Sequence, residues 1–125
     1  GAIGDYAVRK HFGLSLKLPE SPHYKGTGGT KVRASKHKNG KLPGHRDDKK
    51  DKIYIFATRE ENSNVCKIIG WAWGYEIQKE ENWGDHFNKG RPCYALPQYK
   101  LNDIRLLVRK TDGKIGLIER QKELF

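Results

Sequence analysis

Lys25, Lys31, Arg33, Lys36, Lys38, Lys41, Arg46, Lys49, Lys50 and Lys52 crowd one short part of the chain, with His23, His37 and His45 among them. Gly26, Gly28, Gly29, Gly40 and Gly44 are interspersed. Charges nearly all of one sign, on a segment of small residues, suit contact with a phosphate backbone. Each phosphate neutralised there releases condensed counterions. The competing reading is a solvated charged loop with no partner. The whole chain has a formal net charge of +10 at pH 7 and a pI near 9.7, and the clustering of that charge favours a polyanion as partner.

Other chemistries find less support. Lys25-Gly26-Thr27-Gly28-Gly29-Thr30-Lys31 has the glycine content of a phosphate cradle. A nucleotide P-loop, however, needs Gly-Lys followed by Ser or Thr opening a helix, and a strand pattern follows here. A tight turn is the expected structure. Trp71, Trp73 and Trp83 are candidates for stacking on bases. Trp71, inside a strand-like run, is read as core, and Trp73 and Trp83 stay open between the two roles. Cys66, Cys93, His86 and Asp85 lack the spacing of a zinc site. The flanks of His37 and His45 do not support a histidine-metal nuclease, and no Ser-His-Asp or Cys-His arrangement stands out. Cys66 and Cys93 could pair as a disulfide, but two buried free thiols in a reducing cytoplasm are the favoured expectation. No apolar run reaches the roughly 20 residues a bilayer span needs, so no membrane partner is expected.

These side chains require a scaffold. With 125 residues and 35% hydrophobic content, and a mean hydropathy of −0.88, one domain with a modest core is expected over residues 1–125. Residues 1–13 read as a helix stopped by Gly13. Leu14 to Leu18 alternates like a short strand, and Pro19 and Pro22 force a loop. Thr30 to Ser35 reads as a strand with Val32 and Ala34 out of register with the basic residues. Lys36 to Lys52 is expected as a long exposed basic loop or hairpin. Ile53 to Thr58 is the strongest strand, and its continuous apolar run implies burial on both faces. Val65 to Trp73 should return antiparallel to it. Tyr75 to Trp83 reads as irregular or one helical turn, Cys93 to Leu96 as a short strand, and Gln98 to Leu106 as a short helix. Thr111-Asp112-Gly113 predicts a hairpin between Leu107–Lys110 and Ile115–Glu119. The fold class is α+β, one N-terminal helix packed on a mixed, mostly antiparallel central sheet.

One stretch is more particular than a generic core needs. It runs through Gly70-Trp71, Gly74, Trp83, Gly90-Arg91-Pro92, Tyr94, Pro97-Gln98 and Leu101. With Gly4-Asp5-Tyr6-Ala7, Gly28-Gly29-Thr30-Lys31-Val32-Arg33 and Asp51 through Phe56, it resembles the PD-(D/E)XK nuclease-like superfamily of phage and bacterial proteins. The resemblance covers about residues 1–106, and its most specific part is the Gly-Arg-Pro-x-Tyr-x-x-Pro-Gln tail. It implies a restriction-endonuclease-like core in which carboxylates hold Mg²⁺ against a scissile phosphate. On that reading Asp5 is the metal ligand, Arg33 contacts the phosphate, and Lys31 joins them in the catalytic set. Lys25, Lys36, Lys38, Lys41, Arg46, Lys49 and Lys50 grip the backbone. The catalytic motif is degenerate. Gly26 and Thr27 stand where an aspartate is expected, Lys31 replaces an acidic or amide residue, and Arg33 replaces the usual lysine. A cation at Lys31 repels a divalent metal, so further acids such as Glu20, Asp47 or Asp48 would be needed.

Three functions follow. The first is a nucleic-acid-acting domain, with DNA favoured over RNA, Mg²⁺-dependent if hydrolytic, and as a homodimer if both strands are cut. The second is a catalytically inactive binding module, and the third a protein-interaction or inhibitor protein using the Trp-rich face. The resemblance places the protein in the cytoplasm of a bacterial or phage-infected cell.

Overall fold

The computed structural model describes residues 2–14, 28–60, 63 and 65–118. Lys25, Glu20 and most of the Leu14–Leu18 expectation lie outside them. The strand expected to be strongest is the centre of the molecule. Strand β3 (Ile53–Arg59) lies between β1 (Lys31–Ser35), to which it is parallel, and β4 (Cys66–Trp73), to which it is antiparallel. Every residue of β3 from Ile53 to Thr58 is buried. Its alternation serves two cores, one on each face of the sheet.

On one face, Ile53 and Ile55 meet Val8, Val32, Trp71, Leu107 and Ile115. This face is covered by α1 (Ala2–Phe12) and by the hairpin of β7 (Leu107–Arg109) and β8 (Ile115–Leu117). A Cβ on Gly4 of α1 would lie only 3.2 Å from the Val32 side chain, so the helix rests directly on β1. Gly13 ends the helix at φ +68°, and the Leu14 N–H donates to the Arg9 carbonyl at 2.8 Å.

On the other face, Tyr54 and Phe56 meet Leu42, Ala72, Ile77 and Leu96. Here the cover is a second sheet, ordered β2 (Leu42–Gly44), β6 (Cys93–Leu96), β5 (Trp83–Gly84), together with the short helix α2 (Gly74–Ile77). Thus the protein is α+β, with a small mixed central sheet that holds one parallel and one antiparallel pairing in place of a mostly antiparallel one, and the helix and hairpin predictions hold. Two further expectations need correction. The 36–52 segment is not wholly an exposed loop, because it contributes β2, whose Leu42 is completely buried. Instead of one short helix, 98–106 forms two 3-10 turns, Gln98–Lys100 and Ile104–Leu106.

The Gly70-Trp71 pair earns its sequence specificity here. Trp71 exchanges main-chain hydrogen bonds with Asn102 (3.1 and 2.8 Å), and its indole N–H donates to the Asp103 carbonyl at 2.9 Å. A Cβ at Gly70 would lie 2.7 Å from the Asn102 carbonyl oxygen and 2.9 Å from Leu101 Cβ. Gly70→Ala is therefore expected to push the 101–103 segment away and to cost about 1–3 kcal/mol, measured by urea unfolding.

Candidate nucleic-acid interface

The segment carrying the predicted phosphate contacts leaves the end of β1 and crosses to the start of β3. Its backbone is tied along its whole length. The His37 N–H donates to Ser35 Oγ (3.1 Å), and the Gly40 N–H donates to the His37 carbonyl (3.0 Å). Gln98 Nε2 then donates to the carbonyls of Lys38 (2.8 Å) and Gly40 (2.9 Å). Further along, Gln78 Nε2 donates to the carbonyls of His45 (2.8 Å) and Asp48 (2.9 Å). The Lys49 N–H donates to the Tyr54 hydroxyl (3.1 Å), and the Gly74 and Tyr75 N–H groups donate to the carbonyls of Lys52 and Lys50. With its carbonyls engaged inward, the segment presents Lys36, Lys38, Lys41, Arg46, Lys49 and Lys50 to solvent, all exposed. Ordering the backbone in advance lowers the entropic cost of binding.

These cations do not form one patch. β3 rises about 3.3 Å per residue, so its two ends are roughly 20 Å apart. Lys36 and Lys38 sit by its C-terminal end, while Lys49 and Lys50 precede its start. Arg46 lies with its guanidinium 4.3 Å from the centre of the Trp83 ring, and Trp83 packs edge-on against Tyr94 at 4.8 Å. Trp83 is thus already covered by a cation and a tyrosine.

At the C-terminal ends of β1 and β3 the chain forms a cleft of about 1040 Å³. The loop supplies Lys36, His37, Lys38 and Asn39, the end of β3 supplies Thr58, Arg59 and Glu60, β4 supplies Lys67 and Ile69, and Gln98 closes the rim. Glu60 is the single carboxylate among these residues, against Lys36, Lys38, Arg59 and Lys67. Like charges brought around a concavity raise its positive potential and attract an anion. Sequence reasoning passed over Arg59 and Lys67, which stand outside the basic run. The signal available was the β3–β4 hairpin itself, which pairs Thr58 with Lys67 and so returns that lysine to the end of β3.

The resemblance-derived catalytic set is distributed differently. Arg33 forms a two-pronged ion pair with Asp48, Nη1 to Oδ2 at 2.7 Å and Nη2 to Oδ1 at 2.8 Å. Nη1 also donates to the Pro43 carbonyl at 2.8 Å, and the guanidinium lies 4.6 Å from the centre of the Tyr54 ring. The two side chains are only 10% and 9% exposed. Burial acts to raise the Asp48 pKa, but hydrogen bonds from Arg33 and the His45 N–H, with the Arg33 charge, outweigh it. The carboxyl is held below its ordinary value. Lys31 is exposed at the start of the same strand. Asp5 is half-buried on α1, which rests on the face of β1 formed by Val32 and Ala34. Strand alternation sends Lys31 and Arg33 to the opposite face. The structure therefore does not bring Asp5, Lys31 and Arg33 to one surface.

Mg²⁺ asks for several oxygen donors with carboxylates among them. Both Asp48 oxygens are already engaged, and Asp47 is exposed on the loop. Among the described residues no group of three or more His, Cys, Asp or Glu side chains is placed to hold a metal. The described donors do not fit the ion. Cys66 and Cys93 are unpaired and half-buried, and burial raises both thiol pKa values. Among the described residues no helix is long and apolar enough to cross a membrane. Comparison with protein-family models, curated proteins and solved structures finds no match to this chain.

Proposed function

We propose that this protein is a nucleic-acid-binding module that grips the phosphate backbone through the cleft at the ends of β1 and β3. The observation carrying this reading is the convergence of Lys36 and Lys38 from the tethered loop with Arg59 and Lys67 from the β3–β4 hairpin. Charge that was merely clustered in the sequence becomes a concave surface with a backbone already fixed. DNA is the favoured polymer. The nuclease-like ancestry of the core rests on the motif residues and on their order: a helix bearing Asp5, a glycine turn, a strand, a basic segment, a central strand and a Gly-Trp strand. On this reading the degenerate motif serves stability, with Arg33 turned inward to Asp48, and binding takes the place of hydrolysis. The unpaired cysteines support a reducing, cytoplasmic setting.

The test is a titration of labelled DNA and of RNA of the same sequence, read by fluorescence anisotropy, with Mg²⁺ and with EDTA. Saturable binding that is indifferent to EDTA, with the oligonucleotide left intact, supports the reading. Absence of binding to either polymer at low salt overturns it. Metal-dependent cutting that Asp5→Asn abolishes restores the hydrolase.

A further inference from the structure

We infer that the Trp73–Tyr75 face, at the other end of β3 from the cleft, is a stacking site for an unpaired nucleobase. The inference rests on the nucleic-acid reading and narrows the substrate to chains with single-stranded character. Tyr75 is 53% exposed although aromatic rings ordinarily gain by burial. It is not a loose side chain. Its ring lies nearly parallel to that of Trp73 (18°, centroids 6.3 Å apart), and Trp73 meets the buried Trp71 edge-on at 5.6 Å. A continuous aromatic series thus runs from the core to the surface, and its last member offers a flat face to solvent.

The cations beside it are placed by the backbone. The Tyr75 N–H donates to the Lys50 carbonyl at 3.0 Å. Gly74 lies so close under the Lys49 carbonyl that a Cβ there would overlap it. The main chain of Lys49 and Lys50 is therefore pinned beside the platform, and Lys50 with Asp51 lines the open concavity of about 360 Å³ that Trp73 and Tyr75 form. A rigid π-surface with an adjacent cation is what single strands need, since a base stacks on the ring while its phosphate meets the charge. Bases inside a duplex already stack on their neighbours, and unstacking them costs free energy. The platform therefore discriminates, whereas the phosphate-reading cleft does not. Lys49 and Lys50 outnumber Asp51 at this edge, so the charge beside the rings favours a phosphate-bearing occupant over an apolar protein segment.

The experiment compares wild type, Tyr75→Ala and Tyr75→Phe for binding to a labelled single strand and to a blunt duplex of the same composition. Tyr75→Ala is expected to weaken single-strand binding about tenfold, within the range that base–aromatic stacking supplies. Duplex affinity should stay within about twofold, which also shows that the variant is folded. Tyr75→Phe keeps the ring and should behave as wild type. If Tyr75→Ala leaves single-strand binding unchanged, or weakens both ligands equally, the stacking site is overturned while the cleft reading stands. The face is then left to a protein partner. If wild type binds neither ligand, both readings fall together.

Discussion

Asp48→Ala is expected to destabilise the protein by about 3 kcal/mol or more. The substitution leaves the Arg33 guanidinium in a nearly buried position facing the Tyr54 ring, with the Pro43 carbonyl as its remaining protein acceptor. Removing one partner of a buried pair leaves an uncompensated charge, which costs more than the pair contributes. It also removes the acceptor for the His45 N–H, which Asp48 Oδ2 takes at 2.8 Å. Asp48→Asn keeps the shape and part of the hydrogen bonding, so it should fall between alanine and wild type. The pH dependence has a definite sign. The folded-state pKa of Asp48 is lowered from 3.8, so the stabilisation is complete above the unfolded value. It is lost as pH falls through the folded value below it. Urea unfolding should thus show a large gap between wild type and Asp48→Ala at neutral pH, closing in strong acid. A gap below about 0.5 kcal/mol at neutral pH, the ordinary range for surface changes, would show that Arg33 finds other partners.

Reversing charge in the cleft should have the largest effect on binding. Lys36 and Lys67 are exposed and reach the cleft from the loop after β1 and from β4, so Lys36→Glu/Lys67→Glu should remove two of the proposed phosphate contacts without disturbing the core. Hydrogen bonds to charged groups contribute about 1.5 kcal/mol or more each. Losing both therefore weakens binding about 100-fold, and repulsion by the new carboxylates adds to this. Lys79→Glu is the control, an exposed lysine lining a different depression with Glu76 and Glu81. Its effect should be several-fold smaller per charge. Equal effects would mean that net charge, and not the cleft, attracts the ligand. Glu60→Gln, which removes the acid from the same wall, should tighten binding.

Local pattern disclosed the scaffold and left the partnerships hidden. The apolar run Ile53–Ala57, the return strand ending at Trp71-Ala72-Trp73, and the Thr111-Asp112-Gly113 turn each carry a strong local signal, and each forms the element expected. Trp71 is core, as its strand position implied. Leu42 was not legible, because a lone leucine between Lys41 and Pro43 shows no period. Its burial depends on β6, where Leu42 pairs with Leu96 far along the chain. Arg33 shows the same limit. Alternation with Val32 and Ala34 gives the face from which it projects, but its ion pair with Asp48 is made across the fold. The glutamines had the weakest signal of all. Gln78 and Gln98 look like ordinary polar residues, yet their amides hold the basic segment by its carbonyls. The tail motif Pro97-Gln98 is explained by that clamp, since a substitution of Gln98 frees the backbone from which Lys36 and Lys38 reach the cleft.

The central claim is that four cleft cations meet phosphates, and the salt dependence of DNA binding tests it most directly. Each neutralised phosphate contributes a slope of about −0.9 to the plot of log K against log salt for duplex DNA, and about −0.7 for single strands. Lys36, Lys38, Arg59 and Lys67 together predict a slope of roughly −3 to −4. Lys36→Glu/Lys67→Glu should flatten it to about half. A wild-type slope near zero, or one that the double substitution leaves unchanged, would contradict the account.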